Sequence, residues 1–394
     1  MLEWLIIGGG VHGTLLSRVL VQEAGLRRDR VAVLDPHDRP LARFLECAAA
    51  TGMGHLRSTV VHHLDADPMS LRRFALRQPG ADAHLMGPYQ RPTVEVFAAH
   101  CRELASRHGL DDLRLRGEAR LIERRNGSFR VDTSAGSLDA RRVLLAIGGT
   151  EDLCLPGWAE PAAAQGAWVR HVFSPGFCRE AVGPWRHLVV VGGGLSAVQT
   201  ALSLSRQAAA AGHGEVTLLA RHPRRIHDFD TDSGWMGPKL ERGFARIADR
   251  GRRRSVIVDA RHRGSTPREV AQRLRAEITA ERLAERRGEV VEVRVEAASM
   301  RLTLDDGDRL EADRVVLATG FRNGRPGGAW LERTIGALGL QYAACGYPVV
   351  DESLCWAPGI YVTGPLAELE IGPAARNIHG ARLAGKRVLA VARG

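Results

Sequence analysis

The chain has 394 residues, 44% apolar and 25% charged, enough to bury a large core and to divide into two or three domains. Its net charge of +10 comes almost wholly from arginine spread along the length, and only 5% of residues are aromatic, which argues against a nucleic-acid groove. Glu3 interrupts the start and no long uncharged run lacks glycines, so neither a signal peptide nor a membrane span is expected. Cys47, Cys101, Cys154, Cys178, Cys345 and Cys355 show neither zinc nor C-x-x-C spacing, which fits a reduced cytoplasmic protein with no metal.

The first element is an apolar run, Trp4-Leu5-Ile6-Ile7, that turns directly into Gly8-Gly9-Gly10-Val11-His12-Gly13. A helical pattern follows (Leu15, Leu16, Val19, Leu20), then a second apolar run, Val31 to Leu34, ending on Asp35. Strand, G-x-G-x-x-G, helix, strand and an acidic residue about 20 positions on form the dinucleotide-binding arrangement. Gly8 permits the tight turn, Gly10 lets backbone approach a pyrophosphate, and Gly13 lets helix pack on strand. The helix N-terminus offers N–H groups and a positive dipole to the phosphates, and Asp35 would accept from ribose hydroxyls.

The stretch from Cys47 to Pro68, containing Met53, Leu56, Arg57, His62 and His63, reads as loop with short elements. Thr93 then caps a helix carrying Val96, Phe97 and Leu104. From Leu113 to Val143 the period becomes two, with Asn126-Gly127 marking a hairpin, and Val143 to Ile147 forms a buried strand ending at Gly148.

A second strand–glycine–helix unit follows at Leu188 to Val191, Gly192-Gly193-Gly194-Leu195-Ser196-Ala197 and the helix beyond. Its second strand ends on Arg221, where the first unit has Asp35. An acidic residue there suits a free ribose hydroxyl and an arginine suits a 2′-phosphate, so Arg221 with Arg224 or Arg225 favours NADP(H) over NAD(H); the alternative is a solvated basic turn. A helix is expected from Thr266 toward Gly288 and a hairpin over Val290–Leu310. Strands at Val315–Ala318, leading to Gly320, and at Ile360–Val362, leading to Gly364, precede Ile371-Gly372-Pro373 and a last helix from Ala374 to Val391.

Taken together, the two fingerprints, the Ala318-Thr319-Gly320 strand end and the closing strand–glycine–helix resemble the flavoproteins with two dinucleotide-binding domains. The resemblance implies an α/β fold with two Rossmann-like domains. It splits the FAD domain between 1–165 and 301–394 and inserts an NAD(P)H domain at 166–300. It also implies that Gly8, Gly10, Val11, His12, Gly13, Asp35, Leu56, Arg57, Arg91, Gly148, Gly364, Ile371 and Gly372 hold FAD. Gly192, Gly194, Leu195, Ser196, Arg221, Arg224, Arg225 and Gly320 would hold NADPH. With no redox dithiol, the Leu56-Arg57 segment and Arg91-Pro92-Thr93 look most like the class B flavin monooxygenases of the ornithine and lysine N-hydroxylase type. Oxygen would then pass from a C4a-(hydro)peroxyflavin to a nucleophilic N or S of a small molecule, with O2 as co-substrate. Arg57, His62 and His63 would neighbour the flavin. Asp228, Asp230 and Trp235 stand where those hydroxylases carry an ornithine-binding segment of different sequence, and either hold a cationic amine or form a solvated loop. A flavin reductase with another acceptor and a flavin-bound regulatory protein are the competing readings; no sequence feature decides whether the chain forms a homo-oligomer.

Overall fold

The computed structural model describes residues 1–394. Apolar side chains on both faces of the opening strand, Leu2–Ile7, require a sheet covered on both sides. Trp4 and Ile6 pack into one core with Leu15, Leu16, Val19 and Val388, while Leu5 and Ile7 enter another with Val131, Ile335 and Ile360. Each such side chain contributes about 1.5–3 kcal/mol by leaving water. In this sheet the strands run Cys355–Ala357, Ile360–Val362, Gly136–Leu145, Leu2–Ile7, Val31–Asp35 and Arg114–Arg116, and the central pairs are parallel. An antiparallel hairpin, Ala119–Arg125 with Ser128–Thr133, extends from Gly136–Leu145; its turn is Asn126 (φ 36°) and Gly127 (φ 81°).

A second, all-parallel sheet of five strands is built around His187–Val191. Its alternation is the same: Leu188 and Val190 face the helix Leu195–Ala211, and Val189 faces a core with Met300, Leu302 and Val315. No helix is long and apolar enough to cross a membrane.

Several elements differ from the sequence expectation. Part of the Cys47–Pro68 stretch is helix, because Ala42–Thr51 is alanine-rich and closes on Gly52 at φ +68°. Leu113 and Leu115 do not join the hairpin; Arg114–Arg116 pairs in parallel with Val33–Asp35 instead. The helix from Arg268 stops at Thr279, and Ala284–Arg287 is an exposed edge strand beside Thr217–Ala220, with too little apolar character to signal itself. Residues 290–312 form a three-stranded meander rather than a hairpin. Arg314–Leu317, beyond residue 300, lies between His187–Val191 and Val169–His171 and so completes the second sheet. An apolar run on both faces does not say which sheet it completes. The chain returns to the first sheet only with Cys355–Ala357 and Ile360–Val362.

Candidate functional site

At the first fingerprint Gly8 has φ +105°, and a Cβ there would lie 2.6 Å from the Ala146 carbonyl oxygen. A Cβ on Gly13 would lie 1.8 Å from the Gly8 oxygen, so helix and strand meet more closely than any side chain permits. Gly10 is the opposite case, since a Cβ there would meet nothing within 4 Å and the face beside it is open. The helix Val11–Arg18 starts at Gly10 with no side-chain cap, leaving its first N–H groups aimed outward. An open glycine over an uncapped helix start is a cradle that fits a pyrophosphate.

Asp35 accepts from the Gly9 N–H at 2.5 Å and the His37 N–H at 2.9 Å, with Arg114 at 3.7 Å. It therefore fixes the loop from the end of its strand, the place from which a ribose would be met. Arg114, which sequence reasoning missed, lies over Gly9 and donates to the His37 carbonyl. His12 Nδ1 sits 2.9 Å from the Thr363 hydroxyl, tying the loop to the C-terminal segment beside Gly364. Burial lowers the His12 pKa to about 4, against the raising effect of the Arg376 and Asn377 backbone, so its ring is neutral. Gly148 is exposed beyond its strand, and Val11 is half-buried.

Leu56 is buried and donates its N–H to the Pro92 carbonyl. The next two residues of interest, Arg57 and Arg91, turn toward the second domain. Arg57 donates to the carbonyls of His227, Asp228 and Phe229 and to Ser265 Oγ, and burial lowers its pKa to about 10. Arg91 is 1% exposed, pairs with Glu269 at 2.8 Å and has the Asp228 carboxylate at 3.5 Å. Asp228 also accepts from the Arg268 N–H at the start of a helix, so its carboxylate is engaged within the protein.

The structure separates the two neighbouring histidines. His63 has Nε2 on the Pro68 carbonyl and Nδ1 accepting the Asp65 N–H, which makes it a loop brace. His62 instead stands 5.9 Å from His379, whose Nε2 is 3.2 Å from Glu241, and burial lowers the His62 pKa to about 4. The Trp235 ring packs edge-on against Phe244, which covers Gly372 (φ +95°), and Ile371 is buried beside it. Asp230 accepts the His262 N–H through its backbone carbonyl.

Sequence reasoning also missed Glu368, which is fully buried just before Ile371. Arg376 donates to both of its oxygens, at 2.7 and 3.0 Å, Arg254 pairs with it and Arg261 lies 3.9 Å away. Burial alone would raise the Glu368 pKa, but these guanidinium groups outweigh it and hold the pKa below the usual value. The acids Glu368 and Glu370 inside the otherwise apolar stretch 364–375 were the available signal.

At the second fingerprint Gly192 has φ +152°, with the Ala318 oxygen 2.5 Å from a would-be Cβ. Ala197 takes the place that Gly13 has in the first unit, and Leu195 and Ser196 begin a helix without a side-chain cap. The His222 ring lies beside Gly193, and Gly264 backbone lies 3.3 Å from a Cβ on Gly194. Arg221 is exposed and meets only Glu289, at 3.6 Å. Arg224 is paired with Glu285, and Arg225 donates to the Arg263 carbonyl. Gly320, at φ +79°, accepts the Cys154 N–H. A cleft is lined from one domain by Leu56, Arg57 and Arg91 and from the other by Leu195, Gln199 and Leu202.

All six cysteines are free. The chain matches none of the curated protein sequences. Among solved structures it is similar to an ornithine N-hydroxylase from Kutzneria sp. 744, captured with reduced FAD, NADP+ and L-ornithine (TM-score 0.77, 16% identity, 100% of this chain and 99% of that one). It is also similar to an L-lysine 6-monooxygenase from Pseudomonas syringae (0.74, 20%, 100% and 99%). A bacillithiol disulfide reductase from Staphylococcus aureus is a further likeness (0.61, 14%, 99% and 97%). At these identities the likeness is one of fold, and that fold is shared by the amino-acid N-hydroxylases. A family model, pyridine nucleotide-disulphide oxidoreductase, matches residues 2–385, nearly the whole length, and the chain belongs to that family.

Proposed function

We propose that the chain is an FAD-containing, NADPH-dependent monooxygenase that places one oxygen atom of O2 on a nucleophilic nitrogen, or sulfur, of a small molecule. The observation that carries this reading is the pair of glycine cradles on separate sheets, in a fold whose similar structures include N-hydroxylating monooxygenases. When bound, the flavin supplies hydride acceptance from NADPH and activation of O2.

The protein's own residues supply position and dryness. Gly10 and the N–H groups of the helix after it hold the flavin nucleotide's pyrophosphate, and Asp35, kept in place by Gly9 and Arg114, meets its ribose. Neutral His12 bridges that loop to Thr363 without adding charge. In the second domain, Gly192 to Ser196 take the NADPH pyrophosphate and Arg221 its 2′-phosphate, since Arg224 already neutralises Glu285. Arg57 and Arg91 hold residues 227–229 against the first domain and so close one side of the cleft to water. In this reading the FAD domain is split around an inserted NADPH domain, and the strand Arg314–Leu317 belongs with the sheet of the insert.

The test is to follow NADPH consumption by the purified yellow protein in air with candidate amines and thioethers. The expected result is hydroxylated product close to one per NADPH. All electrons leaving as hydrogen peroxide, or passing to an added acceptor without product, would instead identify a reductase. A colourless protein that takes up no FAD would end the assignment.

A further inference from the structure

Buried polar atoms in folded proteins almost always have partners, so several unpartnered ones gathered at one cleft call for an explanation. Three such atoms, His55 Nδ1, Arg91 Nε and Gln199 Oε1, belong to residues that line a cleft between the two domains. Arg91 and Gln199 are 1% and 7% exposed, so bulk solvent does not reach them. The walls are otherwise apolar, with Leu56, Met86, Leu195, Leu202 and Val270.

The charge of this lining is one-sided: it contains Arg57, Arg91, Arg206 and Arg273 and no carboxylate. Arg57 and Arg91 are engaged, one on the 227–229 carbonyls and the other on Glu269. Arg206 makes no ion pair, and the polar contact of Arg273 is the Met86 sulfur at 3.1 Å. Arg273 is close enough to His55 to add to the lowering of its pKa by burial, which keeps that ring neutral. Two unpaired guanidinium groups at the mouth, with an unpartnered amide oxygen inside, complement an anion that also carries a hydrogen-bond donor. They repel a diamine or any other net cation.

We propose that this cleft binds a small organic molecule of net negative charge, its carboxylate or phosphate on Arg206 and Arg273 and an N–H on Gln199 Oε1. Resting on the monooxygenase reading, this is the class of the substrate. The test is calorimetric titration of the FAD-loaded full chain with N-acetylglycine, inorganic phosphate and cadaverine. N-acetylglycine should bind and phosphate should compete with it, the tighter of the two naming the preferred oxyanion, while cadaverine should give no heat. R273E and Q199L should each weaken N-acetylglycine at least about 10-fold, the order expected for losing a hydrogen bond to a charged or buried group. R206Q and R273Q carry the same test if R273E does not fold. Absence of binding, affinity unchanged in the variants, or binding of cadaverine would overturn the proposal. So would displacement by NADP+ together with equal weakening of NADP+ by R273E, since the cleft would then belong to the coenzyme. Binding as expected, with no oxygenated product from any anionic amine tried, would sink the monooxygenase reading and the substrate assignment while leaving the anion site.

Discussion

The two glycine loops begin alike and are finished differently. Gly8 and Gly192 both take positive φ, and in each a carbonyl oxygen of the neighbouring strand end blocks a side chain, at 2.6 and 2.5 Å. Around the first loop everything is tied down. Asp35 holds Gly9, Arg114 lies over it, His12 is fastened to Thr363, and helix meets strand so closely that only Gly13 fits. Around the second loop Ala197 is tolerated, Arg221 is 70% exposed, and the His222 ring and Gly264 backbone lie beside Gly193 and Gly194. A loop fastened from several distant parts of the chain suits a resident nucleotide, and one ringed by exposed side chains suits a nucleotide that comes and goes.

The largest effect that separates them is expected at Gly13. A Cβ 1.8 Å from backbone oxygen has no flexible neighbour to yield, so G13A should cost about 3 kcal/mol or more and lose soluble yellow protein, whereas A197G should cost about 1 kcal/mol, the usual loss for glycine in a helix. Similar denaturation midpoints for the two variants would show that the loops pack alike after all. G10A turns the same comparison toward the cofactor. With open space around it, the added methyl should leave the denaturation midpoint of the flavin-free protein unchanged while cutting bound FAD at least about 10-fold, read from the flavin absorbance of purified protein. Full flavin content in G10A would move the pyrophosphate away from this loop.

How much of this was readable beforehand depends on range along the chain. The fingerprints, the Asn126-Gly127 hairpin and the Thr93 cap were legible because each is encoded within a few residues, and Thr93 Oγ1 does accept from the Val96 N–H. The course of Arg314–Leu317 was not, because it depends on partners at His187–Val191 and Val169–His171, more than a hundred residues earlier. The same limit hid Arg114 beside Asp35 and Arg254 and Arg261 beside Glu368, since charge pairs across long stretches leave no periodicity. The partners of Asp228, Arg91 and the Arg268 N–H, are likewise too far along the chain to leave a local pattern.

A smaller effect is expected at Arg221. Its exposure and its loose 3.6 Å contact with Glu289 leave the guanidinium available to a 2′-phosphate. R221A should raise KM for NADPH about 10-fold and leave NADH nearly unchanged, which steady-state kinetics with both coenzymes would check. Equal changes for both would assign this turn to solvent.

The mildest expected effect concerns acid. Burial lowers the pKa of His12 to about 4, and burial likewise holds His62, His100 and His171 at about 4. The unfolded chain takes up protons on these rings near pH 6.5, while the folded chain resists until about pH 4, so proton uptake favours the unfolded state between those values. Stability from these rings is therefore complete above pH 6.5 and is lost as pH falls through that window. The urea midpoint should be flat from pH 8 to 7 and decline steadily from pH 6.5 to 4. H12Q, which removes one of the four titrations, should make the decline shallower, though it will lower the whole curve if the contact with Thr363 is not replaced. Because His12 fastens the first loop and not the second, wild-type protein should shed flavin in this acid range before it loses affinity for NADP+. The opposite order would mean that the second loop is the more tightly held of the two.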